Sequence, residues 1–218
     1  MPTLLYLHGL ASSPKGRKRA ILEQRFGPEG FTVLAPDLNV PWFRELSFDE
    51  MVAEASSACS EARPEVVVGS SLGALVALAL AGSLGPGGPP LVLIAPVLGM
   101  GARWAEKLPQ AETVEVFHHG EGQFLEIHCA FFREMAGVTV DLEPPPVPVS
   151  VVMGTADESV PFAQVEARWA EWEQSGRLAS GSRFHRVEGG DHDLVDHGDA
   201  IEVAVRERLG QDVFPTVT

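Results

Sequence analysis

The chain opens on a short unbroken apolar run, Thr3 to Leu7, that stops at His8-Gly9 and suits a buried strand. Lys15 to Phe26 then reads as a helix, with Pro14 near its start and Gly27-Pro28 at its end. Phe31 to Ala35, closed by Pro36-Asp37, predicts a second strand. Ser47-Phe48-Asp49-Glu50 has the form of a capping box and predicts a helix from about Phe48 to Arg63. Glu65 to Gly69 holds Val66-Val67-Val68, which is β-branched and does not alternate, as in a parallel strand covered on both faces. Leu72 to Leu84, rich in Ala, Leu and Gly, predicts a buried helix, and Gly85 to Pro90 is a turn-rich break.

Leu91 to Ala95 and Val147 to Met153 are the next strands. A helix is expected near Phe162 to Gln174, where Trp169 and Trp172 are spaced to share a face. Ser182 to Val187 is the last strand and Ala200 to Leu209 the last helix. Six strands joined by helical or longer crossovers predict an α/β fold with a parallel sheet and helices on both faces. The pattern never restarts, so residues 1–218 are read as one domain. The one long departure lies between Pro96 and Pro148. Within it Met100 to Leu108 and Phe124 to Met135 are read as helices, and about residues 97–147 as a helical cap over one end of the sheet. A helical decoration unrelated to function is the alternative.

Composition narrows the class. With 45% hydrophobic and 21% charged residues in 218, the chain can bury one sizeable core. A net charge of −14 gives no overall positive footprint for nucleic acid or for an anionic membrane surface. Cys59 and Cys129 are far apart and form no C-x-x-C pair, so reduced thiols in a cytoplasmic compartment are expected. The start, Met-Pro-Thr-Leu-Leu-Tyr, lacks the basic and long apolar regions of a signal peptide. The apolar stretches are too short to span a bilayer.

The segment with most chemical content is Gly69-Ser70-Ser71-Leu72-Gly73, a G-x-S-x-G pattern directly after a predicted strand and before a predicted helix. A sharp turn there lifts the central serine clear of the sheet, with the helix N-terminus behind it. Ser71 is therefore the candidate nucleophile, and Ser70, at the second motif position, should point elsewhere. A serine needs a base. His192, in Glu188-Gly189-Gly190-Asp191-His192-Asp193 after the last strand, can swing over the strand ends. His197 falls near the start of the last helix and His185 within a strand. His118 and His119 sit together in the proposed cap, where a solvated loop pair is expected and lining a pocket is the alternative. The base in turn needs a carboxylate. Asp157, in Met153-Gly154-Thr155-Ala156-Asp157, follows a strand and precedes a helix; Glu158 is the fallback, and Asp193 is too close in sequence to orient His192. Backbone N–H groups of Leu72 and Leu10 are assigned to an oxyanion hole. No ligand spacing of the H-E-x-x-H kind exists, and neither metal nor cofactor is expected. The cluster Lys15, Arg17, Lys18, Arg19 is either a solvated helix face or an attractor for an anionic part of a substrate.

The order Ser71, Asp157, His192 is the chain order of α/β-hydrolases. Tyr6-Leu7-His8-Gly9-Leu10-Ala11-Ser12-Ser13-Pro14 together with Gly69 to Gly73 resembles the small bacterial YqiA-like esterases of that superfamily. The resemblance implies that the first strand corresponds to the third strand of the full fold. It implies an all-parallel sheet of order 2-1-3-4-5-6. It also implies hydrolysis of carboxylic esters or thioesters, acyl-CoA among them, so a small-molecule substrate is the expected partner. Trp104, Phe117, Phe124, Phe131 and Phe132 would then line an acyl pocket or simply pack the cap on the sheet. Carbon–carbon bond hydrolysis or peptide cleavage at the same residues is an alternative, as is a non-catalytic ligand-binding homologue.

Overall fold

A computed structural model describes residues 1–99 and 110–211. Its central feature is a six-stranded sheet built from β1 (Thr3–Leu7), β2 (Thr32–Leu34), β3 (Val66–Ser70), β4 (Leu91–Ile94), β7 (Val149–Gly154) and β8 (Arg183–Val187), in the order β2-β1-β3-β4-β7-β8. Every neighbouring pair is parallel. Counted within this sheet alone, the order is 2-1-3-4-5-6; the chain numbering jumps because two further strands intervene. The central strands β3, β4 and β7 are buried along their whole length, as non-alternating apolar runs require.

The crossover helices are α1 (Arg17–Phe26), α2 (Phe48–Ala62), α3 (Leu72–Leu84) and α5 (Phe162–Gln174), and α6 (Gly198–Arg208) follows the last strand. Each buries the stripe its sequence prescribes. In α2 this is Phe48, Met51, Ala55 and Cys59, and in α5 Val165, Trp169 and Trp172. α3 is apolar nearly all round and is buried nearly all round. The two tryptophans do share a face, with ring centroids 6.1 Å apart. The Ser47 hydroxyl caps α2 by accepting from the Glu50 N–H. The reciprocal half of the capping box is replaced: the Ser47 N–H goes to the Val40 carbonyl, and Glu134 accepts from the Phe48 N–H at 2.9 Å.

The excursion differs from the expected helical cap. Phe124 to His128 is not helical. It belongs to an antiparallel hairpin, β5 (Thr113–His118) and β6 (Gln123–His128), with Phe117 opposite Phe124. The helix, α4, is confined to Ala130–Ala136. The physical reason lies in Thr-Val-Glu-Val-Phe-His and Gln-Phe-Leu-Glu-Ile-His, which both alternate with period two around the loop His119 to Gly122. Val114, Val116, His118, Leu125 and Ile127 face inward, while Glu115, Phe117, Phe124 and Glu126 face out. The predicted helix Met100 to Leu108, with Trp104, lies outside the described residues.

Phe131, Phe132 and Met135 of α4 join the main hydrophobic cluster, which is continuous from β1 to α6. Cys59 and Cys129 are buried and unbridged. Among the described residues, no helix is long and apolar enough to cross a membrane.

Candidate active site

The strand order sends the carboxyl ends of β1, β3, β7 and β8 to one edge of the sheet, and the candidate residues sit on the loops that leave it. Ser71 stands between β3 and α3 with φ 55° and ψ −115°, a conformation that a side-chain-bearing residue adopts only under strain. Two glycines make this turn possible. A side chain on Gly73 would lie 2.2 Å from the Leu7 carbonyl oxygen, so only glycine lets α3 approach the end of β1. A side chain on Gly9 would press on the Ser71 Cβ at 3.1 Å. The loop after β1 is thereby held directly beside the serine.

His192 Nε2 lies 3.1 Å from Ser71 Oγ, and His192 Nδ1 lies 2.7 Å from Asp157 Oδ2. The other Asp157 oxygen accepts from the Ser159 and Val160 N–H groups, each at 2.8 Å. A carboxylate buried to this degree is sustained because both oxygens are hydrogen-bonded. The loops carrying the two residues are tied together, since Ala156 N–H donates to the Gly190 carbonyl at 2.9 Å. With Nδ1–H donated to Asp157, Nε2 is free to accept the serine proton.

The backbone N–H groups of Leu10 and Leu72 find no acceptor among the described residues. His8 controls the first of them. Its ring is 1% exposed, its Nε2 accepts the Leu38 N–H at 2.9 Å, and its Nδ1 is 2.9 Å from the Gly9 carbonyl oxygen. With Nε2 taking the shorter bond from the Leu38 N–H, and Asp37 Oδ1 farther off at 3.4 Å, Nδ1 is the ring atom left to donate to Gly9. Because the Gly9 carbonyl and the Leu10 N–H share one planar peptide, holding the carbonyl towards His8 turns the N–H the opposite way.

Ser71 and His192 open into a cleft of about 580 Å³. One wall is the stretch Gly9 to Lys18, the other the hairpin tip His119 to Glu121, which is anchored by the His119 N–H on the Ala11 carbonyl at 2.7 Å. Tyr6 and Ser70 form part of the floor. Burial pushes the Tyr6 phenol well above its ordinary range, and a hydrogen bond with the Ser70 hydroxyl opposes this.

The remaining sequence candidates are distributed as follows. Ser70 is buried beneath the elbow. His185 is held by Glu207 at 2.9 Å, Glu158 is exposed, and Asp193 pairs with Arg17 rather than with His192. Phe117 and Phe124 pack edge to face on the outer side of the hairpin, 5.3 Å apart, and do not line the Ser71 cleft. Their side of the ribbon is set by the strand alternation that a helical reading missed. His118 and His119 are not a solvated pair. His118 is buried against the Phe43 ring, and burial pushes its imidazole below the ordinary range, whereas His119 lines the cleft. Lys15, Arg17 and Lys18 line it too, so the basic cluster is not simply a solvated face.

Solved structures share this architecture. Est1E from Butyrivibrio proteoclasticus with ferulic acid bound aligns with a TM-score of 0.76 at 14% identity, over 97% of this chain and 90% of that one. Mouse alpha/beta hydrolase domain-containing protein 10 aligns at 0.72 and 20% identity, covering 94% and 87%. The monoacylglycerol lipase of Paleococcus ferrophilus aligns at 0.71 and 20% identity, covering 95% and 93%. These likenesses establish the α/β-hydrolase fold. No curated protein matches the chain in sequence. The profile of the uncharacterised protein family UPF0227 does match, over residues 3–196, from β1 to just beyond His192, and the chain belongs to that family.

Proposed function

We propose that this protein is a serine hydrolase that cleaves carboxylic esters or thioesters through an acyl-enzyme on Ser71. The observation that carries the reading is the continuous hydrogen-bonded line from Ser71 Oγ through His192 to Asp157. It lies beside two backbone donors without an acceptor among the described residues, at an elbow where Ser71 holds a strained positive φ. The names of the fold relatives, a monoacylglycerol lipase among them, point the same way.

In this reading His192 Nε2 takes the Ser71 proton as Oγ bonds to the acyl carbon, and the carbonyl oxygen becomes an oxyanion facing the Leu10 and Leu72 N–H groups. Losing one such donor typically costs about 3 kcal/mol of barrier. Collapse of the intermediate breaks the bond to the alcohol or thiol, which leaves with the proton from His192. Water then gives its proton to His192, attacks the acyl carbon and releases the acid, and His192 returns a proton to Ser71. Asp157 stays ionised throughout and stabilises the imidazolium. Residues 97–147 act as a cap whose hairpin tip closes one side of the cleft, within a single domain.

The test is covalent labelling. A fluorophosphonate probe should modify wild type at one site per chain, and Ser71→Ala should abolish both labelling and turnover of p-nitrophenyl esters. A wild-type protein that neither labels nor turns over short esters or acyl thioesters would sink the proposal.

A further inference from the structure

The buried stripe of α1 is Lys18, Leu22 and Phe26, at i, i+4 and i+8. A lysine heading an apolar stripe is unusual, because removing an ammonium from water is costly unless its partners replace the lost hydration. Lys18 is 8% exposed, and its surroundings push its ammonium below the ordinary range: burial acts first, and Asp193 opposes it. The replacement partners all lie on one segment. Lys18 Nζ donates to the His192 carbonyl oxygen at 3.4 Å and lies 3.6 Å from Asp193 Oδ1, while Arg17 takes Asp193 Oδ2. The start of α1 thus grips the backbone of the proposed base and the side chain that follows it. The same stretch of chain, a few residues earlier, supplies the Leu10 N–H.

We propose that Lys18 is a positioning residue for His192, acting with Asp193 as its intermediary. This rests on the reading of Ser71 and His192 as the reacting pair. Asp157 sets the rotation and tautomer of the imidazole, but it cannot set where the peptide carrying the ring sits. Lys18 does that, and holds Nε2 within reach of Oγ. The clamp also joins the two halves of the site, since one rigid helix start holds the base loop and adjoins the oxyanion loop. Small displacements at a reacting pair are expensive in rate, which is why a fold would retain a buried ammonium there.

The test compares wild type with Lys18→Met, Asp193→Asn and the double variant, using p-nitrophenyl acetate turnover and fluorophosphonate labelling. Methionine fills the stripe position, and Asp193 is partly exposed, so its variant should fold even where the other does not. Lys18→Met should lower kcat and the labelling rate about tenfold, with KM changed less than about twofold and Tm not lowered. Asp193→Asn should act in the same direction. The double variant should be no slower than the slower single one, because Lys18→Met already removes both the bond to the His192 carbonyl and the pair with Asp193. The acidic limb of the rate profile should move to higher pH in Lys18→Met. A cation held on the His192 carbonyl has been removed, leaving Asp157 on the ring, Asp191 and Asp193 as its chain neighbours, and Arg17, paired with Asp193, as the remaining α1 cation on this segment. A mere packing defect would leave that limb in place. Wild-type kcat in Lys18→Met, a change in KM alone, or additive effects in the double variant would each overturn the positioning role while leaving the hydrolase reading intact. An inert, unlabelled wild type would overturn both.

Discussion

His8 illustrates how much one side chain can decide. Two backbone partners, Leu38 N–H and the Gly9 carbonyl, fix its tautomer, and the tautomer fixes the face of the Gly9–Leu10 peptide. His8→Phe should therefore lower kcat towards p-nitrophenyl acetate by about tenfold or more, approaching the loss of one oxyanion donor. His8→Gln, which still offers one acceptor and one donor, should retain more activity. Equal kcat in wild type and His8→Phe would contradict the peptide-plane argument. The sequence reading reached His8-Gly9 as a turn beside an oxyanion loop but could not see this role. Its controlling partner lies thirty positions away, and nothing local marks Leu38 as a donor. Ser71, Asp157 and His192 were legible because each follows a strand, so strand order alone converts chain position into proximity. Lys18 left a fainter trace: a charge on a stripe that reads apolar at the two following positions. In the sequence that charge is one of a run, Lys15, Arg17, Lys18 and Arg19, and nothing local separates it from its neighbours.

At the scale of elements, the strands and helices of the sheet were legible to within a residue or two, since their apolar runs and caps are local. The hairpin was not. Val114, Val116, Leu125 and Ile127 fall on one side of the ribbon, but Phe117 and Phe124 blur the alternation and Phe131, Phe132 and Met135 follow at helical spacing, so the sequence reads as one helix from Phe124. The consequence was functional. As a pocket-lining or cap-packing residue Phe124 would be covered, whereas the ribbon turns it to solvent at 65% exposure. The excursion is nonetheless tied down from below. Trp172 of α5 is fully buried and its Nε1–H donates to the Asp141 carbonyl at 2.9 Å. Trp172→Phe should destabilise the fold by about 1–3 kcal/mol, through the stranded carbonyl and the lost ring volume. Urea unfolding followed by far-UV circular dichroism would measure it. No shift in midpoint would mean that the segment near Asp141 relaxes to water.

At the scale of the whole molecule, 30 acidic residues against 16 basic ones leave a surface that repels itself. Many of the ion pairs are solvent-exposed, such as Arg25–Asp199 and Arg44–Glu126, and individually such pairs contribute little. Screening should therefore relieve more repulsion than attraction. Raising ionic strength from low to physiological is expected to lift Tm by about 2 °C in differential scanning calorimetry, and a fall would mean that the paired charges dominate. The same inventory has a practical corollary. Tyr6 is the single tyrosine of the chain, and it lies in the floor of the Ser71 cleft. Fluorotyrosine supplied during expression would place one fluorine nucleus in the floor of the cleft that Ser71 lines, in an otherwise unaltered protein. Its resonance would register acylation, inhibitor capture or movement of the neighbouring loops from a built-in vantage point that needs no assignment.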